Sequence, residues 1–309
     1  MKKRILYLLT FSLMIGFAAC KKGSGSDNNS NNEQGAVHSD DQSRFSSEVD
    51  AVSNDADIAL ESSTNFSGRL QNILGTICDA SAVLNTATNP MTITITYDGT
   101  NCFGNRTRTG VVVLSMAQGT QWKNAGAAVT VSFQNLKITR TADNKSITIN
   151  GTQTYTNVSG GLLINLASLG TITHSITSPG LSVTFDNGSQ RNWQVAKQRV
   201  FTLNGGGAVI TTTGTHSDGN NSNIAEWGTN RFGGAFTTAI TSPLIIRQDC
   251  NFRLTAGSVF HTLPVANVSV TFGLNASGNP TSCPGTGSYY FKAVWAGANG
   301  DSLSIIHPY

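Results

Sequence analysis

The chain has 309 residues, 12% of them charged, with twenty Lys and Arg against seventeen Asp and Glu for a formal net charge of +3. Lys2, Lys3 and Arg4 account for the whole excess; without them, seventeen cations face seventeen acids. The basic balance thus belongs to the extreme N-terminus, and nucleic acid is not an implied partner.

The first segment has the layout of a secretory leader. A basic n-region, Lys2 to Arg4, precedes an uncharged and mostly apolar run from Ile5 to Ala19. At about fifteen residues this run is shorter than the roughly twenty that span a bilayer, and its charge lies on one side only. It ends in Phe17-Ala18-Ala19-Cys20, so residues 1–19 read as a signal peptide and Cys20 as the lipidated first residue after cleavage. Phe17 stands where leucine is usual. Several acyl chains on Cys20, each buried CH₂ contributing about 0.8 kcal/mol, would anchor firmly where one chain holds only marginally. No later segment is apolar enough to cross a membrane.

Residues 20–37 continue as Lys, Gly, Ser, Asp and Asn with almost no large apolar side chain, and predict a flexible tether reaching about 20–25 Å. From Ser39 the pattern changes. Ser39-Asp40-Asp41-Gln42 has the form of a capping box, and Phe45, Val49, Val52, Ala56 and Leu60 recur on one helical face. Glu48, Asp50, Asp55 and Asp57 occupy another. The spacing predicts an acidic amphipathic helix over about 40–61, within a segment 38–70 that packs on the body of the protein.

Everything from about residue 71 to 309 reads as β. Ile93, Ile95 and Tyr97 alternate with threonines, and the same period recurs at Val129, Val131 and Phe133, at Leu181, Val183 and Phe185, and at Val268, Val270 and Phe272. Turn signals such as Asp98-Gly99 and Asp186-Asn187-Gly188 separate the runs, with no helical patterns for parallel crossovers. The expected fold is all-β: a large antiparallel sheet, or a two-sheet sandwich or open barrel, preceded by one helix. Strand, cysteine, glycine, strand occurs twice, which allows two related halves, about 71–160 and 161–309.

Apart from Cys20, four cysteines remain, an even number for an oxidising compartment. Of three connectivities, Cys78–Cys102 and Cys250–Cys283 are preferred as local pairs, each stabilising by roughly 3–4 kcal/mol. No CxxC or Cys/His pairing supports a zinc site, and no cofactor is implied.

Catalytic chemistry is sparsely represented. The β body holds seven aspartates and one glutamate, and the best acid pair is Glu226 with Asp249 or Asp218, the basis of an alternative reading as a glycan-processing enzyme. No nucleophile elbow or metalloprotease motif is present. The loop His216–Ser222 is oxygen-rich but lacks an EF-hand's closing glutamate, so it reads as a turn. Trp227, Tyr289, Phe291 and Trp295 are the candidate ligand-binding aromatics; as sheet residues they equally fit a core. Thirteen Lys and Arg against eight acids in the body would favour an anionic ligand or balance the acidic helix.

The carriers Phe17-Ala18-Ala19-Cys20, the Asn/Ser tether, Thr92 to Tyr97 through Cys102 to Val111, Ile149-Asn150-Gly151-Thr152, and Asn230-Arg231-Phe232-Gly233 before Cys250 together give a chain that resembles uncharacterised Bacteroidota-type envelope lipoproteins. The resemblance implies an outer-membrane anchor, since Lys21 is not the aspartate of inner-membrane retention. Lys21 and Lys22 depart from the acidic export pattern, so the facing leaflet, periplasm or cell surface, stays open. It also marks Asp301-Ser302-Leu303 as an O-glycosylation sequon on Ser302. The combined expectation is a lipid-anchored, non-enzymatic protein binding glycan, lipid or another envelope protein, with a periplasmic lipid carrier or outer-membrane assembly factor as a further alternative.

Overall fold

The computed structural model describes residues 26–68, 77–101, 104–205, 207–283, 287–296 and 302–309, with backbone alone for 26–32 and 302. The leader, Cys20, Cys102 and Asp301 lie outside the described residues.

Helix α1 runs Ser26–Ser62 and is followed by a single turn, α2, Thr64–Ser67. It begins well inside the segment whose composition predicts a tether. Asn and Ser are poor helix formers, but tertiary contact overrides propensity here: Ala36 packs on the core, and Gly35 lies against the Trp295 indole. A Cβ at Gly35 would collide with that ring, so only glycine allows this approach.

Fourteen antiparallel strands follow: β1 Ala80–Asn85, β2 Met91–Thr100, β3 Arg106–Met116, β4 Ala127–Arg140, β5 Ser146–Asn157, β6 Thr171–Phe185, β7 Gln190–Asn204, β8 Gly207–Gly214, β9 Ile224–Thr229, β10 Ala235–Arg247, β11 Arg253–Thr262, β12 Asn267–Leu274, β13 Tyr290–Ala296 and β14 Ser302–Pro308. A short helix, α3 Leu166–Leu169, lies between β5 and β6. The strands form one meandering sheet in sequence order, except at β8 and β9. These two share a lane: β8 pairs with Lys197–Asn204 of β7, and β9 with Trp193–Val195 of the same strand. On the other side both pair with successive parts of β10.

The period-two pattern sorts the faces as the sequence predicts. Met91, Ile93, Ile95 and Tyr97 of β2 are buried while Thr96 is exposed, and β4 buries Val129, Val131 and Phe133. Threonine on the outward phase suits a half-solvated pleat. Where β3 meets β4 the register shifts; Gly110 sits at φ +116°, and a Cβ there would strike the Asn135 carbonyl. This is a bulge that only glycine fits.

The sheet is curled around α1. Helix residues touch Tyr97 on β2, Lys197 on β7, Phe236 on β10, His261 on β11 and Trp295 on β13. Adjacent Asp40 and Asp41 of the helix meet Arg140 of β4 and Arg231 just after β9, which lie about four strand spacings apart, roughly 20 Å if flat, whereas a helix is about 10 Å across. Only a sheet wrapped into a trough brings both to one helix. Among the described residues β1 and β14 each pair on one side only, so the wall is not closed. No described helix is long and apolar enough to cross a membrane.

The helix stripe Phe45, Val49, Val52, Ala56 and Leu60 is fully buried, as its spacing predicts. The acidic face is buried as well: Glu48, Asp50, Asp55 and Asp57 each keep less than a tenth of their surface. The reason is a helix sunk into the trough, with little but Ser47 and Ile58 of its middle turns exposed, rather than one lying on a surface. Cys250 and Cys283 form a disulfide with Cα atoms 5.2 Å apart, and Cys78 is also disulfide-bonded. The expected partner of Cys78, Cys102, falls outside the described residues.

Candidate functional site

The trough is lined with cations that meet the helix acids one by one. Arg140 reaches Asp40 at 2.7 Å, Arg231 reaches Asp41 at 2.6 Å, and Arg106 reaches Glu48 at 3.0 Å. Arg108 binds Asp55 at 2.8 Å and grips Asp79 with two further nitrogens, its guanidinium 4.3 Å from the centre of the Tyr97 ring. His174 lies 3.4 Å from Asp57. Arg199 donates to Ser53 and Asn54 of the helix. The basic excess of the β body is thus spent on its own acidic helix.

Burial dominates the electrostatics here. It pushes the Glu48 carboxyl above its ordinary range against the pull of Arg106 and Arg108, and does the same to Asp55 against Arg108. Desolvation disfavours the charged form of a carboxylate, and the opposing cations recover part of that cost.

Glu226, the candidate acid of a catalytic pair, projects from β9 into this interior and is fully buried. Its carboxylate accepts a hydrogen bond from Gln42 Nε2 at 2.9 Å and lies 2.6 Å from Lys197 Nζ. Lys197 also reaches Asp50 at 3.6 Å and donates to Ser46. Burial lowers the Lys197 pKa, but Asp50 and Glu226 outweigh it, and the ammonium is held above the ordinary lysine value. Glu226 therefore shares a cation with Asp50, not a substrate with Asp218 or Asp249. Asp218 is exposed in its turn, accepting the N–H groups of Asn220 and Asn221, which hold it below the usual carboxylate range. Asp249 is exposed and paired with Arg247. The proposed acid pair is not assembled, because β9 turns Glu226 inward while both aspartates sit in exposed segments.

The candidate aromatics separate in the same way. Trp295 is buried beneath Gly35, and Tyr289 is also buried. Phe291 shares their phase and packs with Phe272 and Tyr309. These three belong to the core, because the phase they share is the concave one. Trp227 differs. It follows Glu226 on β9, faces outward, is half-buried, and stacks on His216 with centroids 4.0 Å apart and planes at 13°. Ser302 opens β14 opposite Ala296, and its side chain lies outside the described residues. Among the described residues, one cluster has metal-ligand proximity, Asp249 with Cys250 and Cys283, and its two sulfurs are joined to each other.

On the convex face, reached by Thr229 two residues along β9 from Trp227, lies an open groove of about 640 Å³ lined by Ser182, Gln190, Arg191, Asn192, Thr229 and Gly233. Register explains the grouping. Ser182 pairs with Asn192 across β6–β7, and Trp193 pairs with Gly228 across β7–β9, so Asn192 and Thr229 are neighbours one step along. Arg191 frames the end, its guanidinium held in place by donating to the carbonyls of Gln190, Asn230 and Arg231 at 2.8, 3.0 and 3.1 Å. The sequence carried one signal of this surface, the amides Gln190, Asn192 and Gln194 on alternate positions around the buried Trp193. Ser182 and Thr229 come from other strands and had none.

No known protein family, curated protein or solved structure matches the chain.

Proposed function

We propose that the chain is a lipid-anchored envelope protein, held to the outer membrane through Cys20, whose β body has a non-catalytic binding role. One observation carries the reading: the concave side is filled by the protein's own helix, with Glu226 neutralised by Lys197. A lipid carrier needs an apolar lumen, and a glycosidase needs two facing carboxylates open to substrate. The filled trough favours neither, and leaves the convex face for ligands. On this reading the disulfides stabilise an exported body, and Ser302 is an O-glycosylation site.

The test is fractionation of cells expressing the intact chain and Cys20→Ser. Loss of the variant from the membrane fraction, with the intact chain releasing no reducing ends from a polysaccharide panel, supports the reading. A membrane-bound Cys20→Ser protein overturns the anchor, and hydrolysis overturns the binding role. Native mass spectrometry that finds co-purified lipid would favour the carrier instead.

A further inference from the structure

We infer that the convex groove between β6, β7 and β9 is a binding site for an uncharged oligosaccharide, with the outward Trp227 as its stacking platform. The inference rests on the binding role proposed above and names its ligand class.

Three features narrow the ligand. The first is charge. The one cation in the lining, Arg191, has its guanidinium committed to three main-chain carbonyls, and no carboxylate lines the groove. A cationic ligand would find no counter-charge there, and the single cation, pinned to the main chain at one end of the groove, leaves the rest of the lining uncharged.

The second is the backbone. A peptide commonly binds a sheet by adding a strand to an open edge. The groove lies across strands in mid-sheet, where β7 is paired with β6 on one side and β9 on the other, and β9 in turn with β10. The lining residues Gln190, Arg191 and Asn192 are paired with β6, and beside them the carbonyls of Gln190, Asn230 and Arg231 are taken by the Arg191 side chain, so recognition falls mainly to side chains.

The third is the side-chain set. Ser182, Gln190, Asn192 and Thr229 supply hydroxyls and amides that both donate and accept. Gln190 Nε2 already donates to Ser182 Oγ, which fixes the two relative to each other. Adjacent hydroxyls of a pyranose present this same mixture of donors and acceptors. The apolar C–H face of a sugar needs a flat partner, and Trp227, two residues before Thr229 and on the same face of β9, has one side of its indole stacked on His216, so the opposite side is the one a sugar would meet. Gly233, at φ +90° with open space where a Cβ would be, keeps the groove mouth clear.

The site also has a rigid support. Asn230 accepts the N–H groups of Phe232 and Gly234 through its side chain, and Arg231 points inward to Asp41 of the helix and Asp186. The loop bordering the groove is therefore pinned from both sides, which limits the ordering cost on binding.

The test uses the full lipidated chain in lauryldimethylamine oxide, a detergent without a sugar headgroup. Titration calorimetry would probe malto-, cello-, laminari-, manno-, galacto- and chito-oligosaccharides of six units, with oligogalacturonate as the anionic counterpart. Binding of at least one neutral probe is expected, weakened at least about tenfold, or about 1.4 kcal/mol, by Trp227→Ala, and largely retained in Trp227→Phe. Asn192→Ala provides a second variant, expected to weaken binding several-fold, should Trp227→Ala fail to fold. Three results overturn the inference: no neutral probe binding at millimolar concentration, oligogalacturonate binding more tightly than every neutral probe, or affinity unchanged in folded Trp227→Ala and Asn192→Ala. Those failures leave the anchored binding role standing; cleavage of a probe, by contrast, would overturn that role itself.

Discussion

His38 of α1 and His261 of β11 offer the sharpest quantitative test of helix docking. Their rings meet edge-on at 5.3 Å, walled by Phe236 at 4.5 Å and Trp193 at 5.9 Å from His38. Both residues are almost wholly buried, and His38 has no hydrogen-bond partner on either ring nitrogen. His261 shares one nitrogen with Thr238. Burial holds His38 well below the usual histidine value, with His261 adding to the effect, and burial takes His261 down to about 3. An unfolded histidine titrates near 6.5. Below that pH the unfolded chain binds more protons than the native one, so stability is fully present above about pH 6.5 and falls on acidification. At pH 5 each histidine costs about 2 kcal/mol, and the pair about 4, a large part of the 5–15 kcal/mol typical of a folded domain. Buried Asp41, Glu48 and Asp55 and half-buried Glu61 have raised values and act in the opposite sense, gaining stability as pH falls through their window. The raw pH curve is therefore mixed, and the variant His38→Leu isolates the histidine contribution. Urea unfolding of both proteins at pH 8 and pH 5 should show the difference shifting by about 2 kcal/mol in the variant's favour at the lower pH. An equal difference at the two pH values would refute the buried neutral pair.

Other perturbations probe the same interface. Arg108→Met should destabilise by about 3–5 kcal/mol in urea titration, because it strands Asp55 and Asp79 in the interior; a loss below about 1 kcal/mol would mean that these carboxylates reach water. Gly35→Ala should cost about 1–3 kcal/mol through overpacking on Trp295, with partial recovery on adding Trp295→Phe. Additive losses in that pair would show that the two residues do not meet. Replacing Cys250 and Cys283 together by alanine should cost about 3–4 kcal/mol by the chain-entropy account, read as a lower urea midpoint than that of the parent protein under non-reducing conditions.

The strands were legible because their signal is local. Threonine alternating with Ile, Val and Phe in β2, β4 and β12 predicts both the element and its buried phase, and the stripe from Phe45 to Leu60 predicts the helix. What the helix acids would meet was harder to read. Glu48 and Asp55 look like a solvated face because their partners, Arg106 and Arg108, lie on a distant strand, and only the matching excesses of charge hinted at pairing. The N-terminal extension of α1 was hidden for a related reason: Gly35 and the Asn/Ser run lack helical propensity, and the indole that accepts Gly35 stands near the other end of the chain. Glu226 drew attention as the lone glutamate of the β body, yet its phase on β9, not its rarity, decides its role. The convex groove is legible only in its amide row, since its remaining lining depends on register between three strands.

Chain order gives the enclosed helix a consequence for biogenesis. α1 precedes every strand, so during synthesis it emerges before any wall of the trough exists. Gly35 must wait for Trp295, and contacts of such long sequence separation slow folding. Until β12 and β13 are delivered the helix keeps one flank bare, with Val268 and Trp295 absent from it. A chain of this design therefore passes through a stage with an acidic, partly apolar helix in the open. Because β1 and β14 leave the wall open, the late strands can close over the helix from the side, without threading.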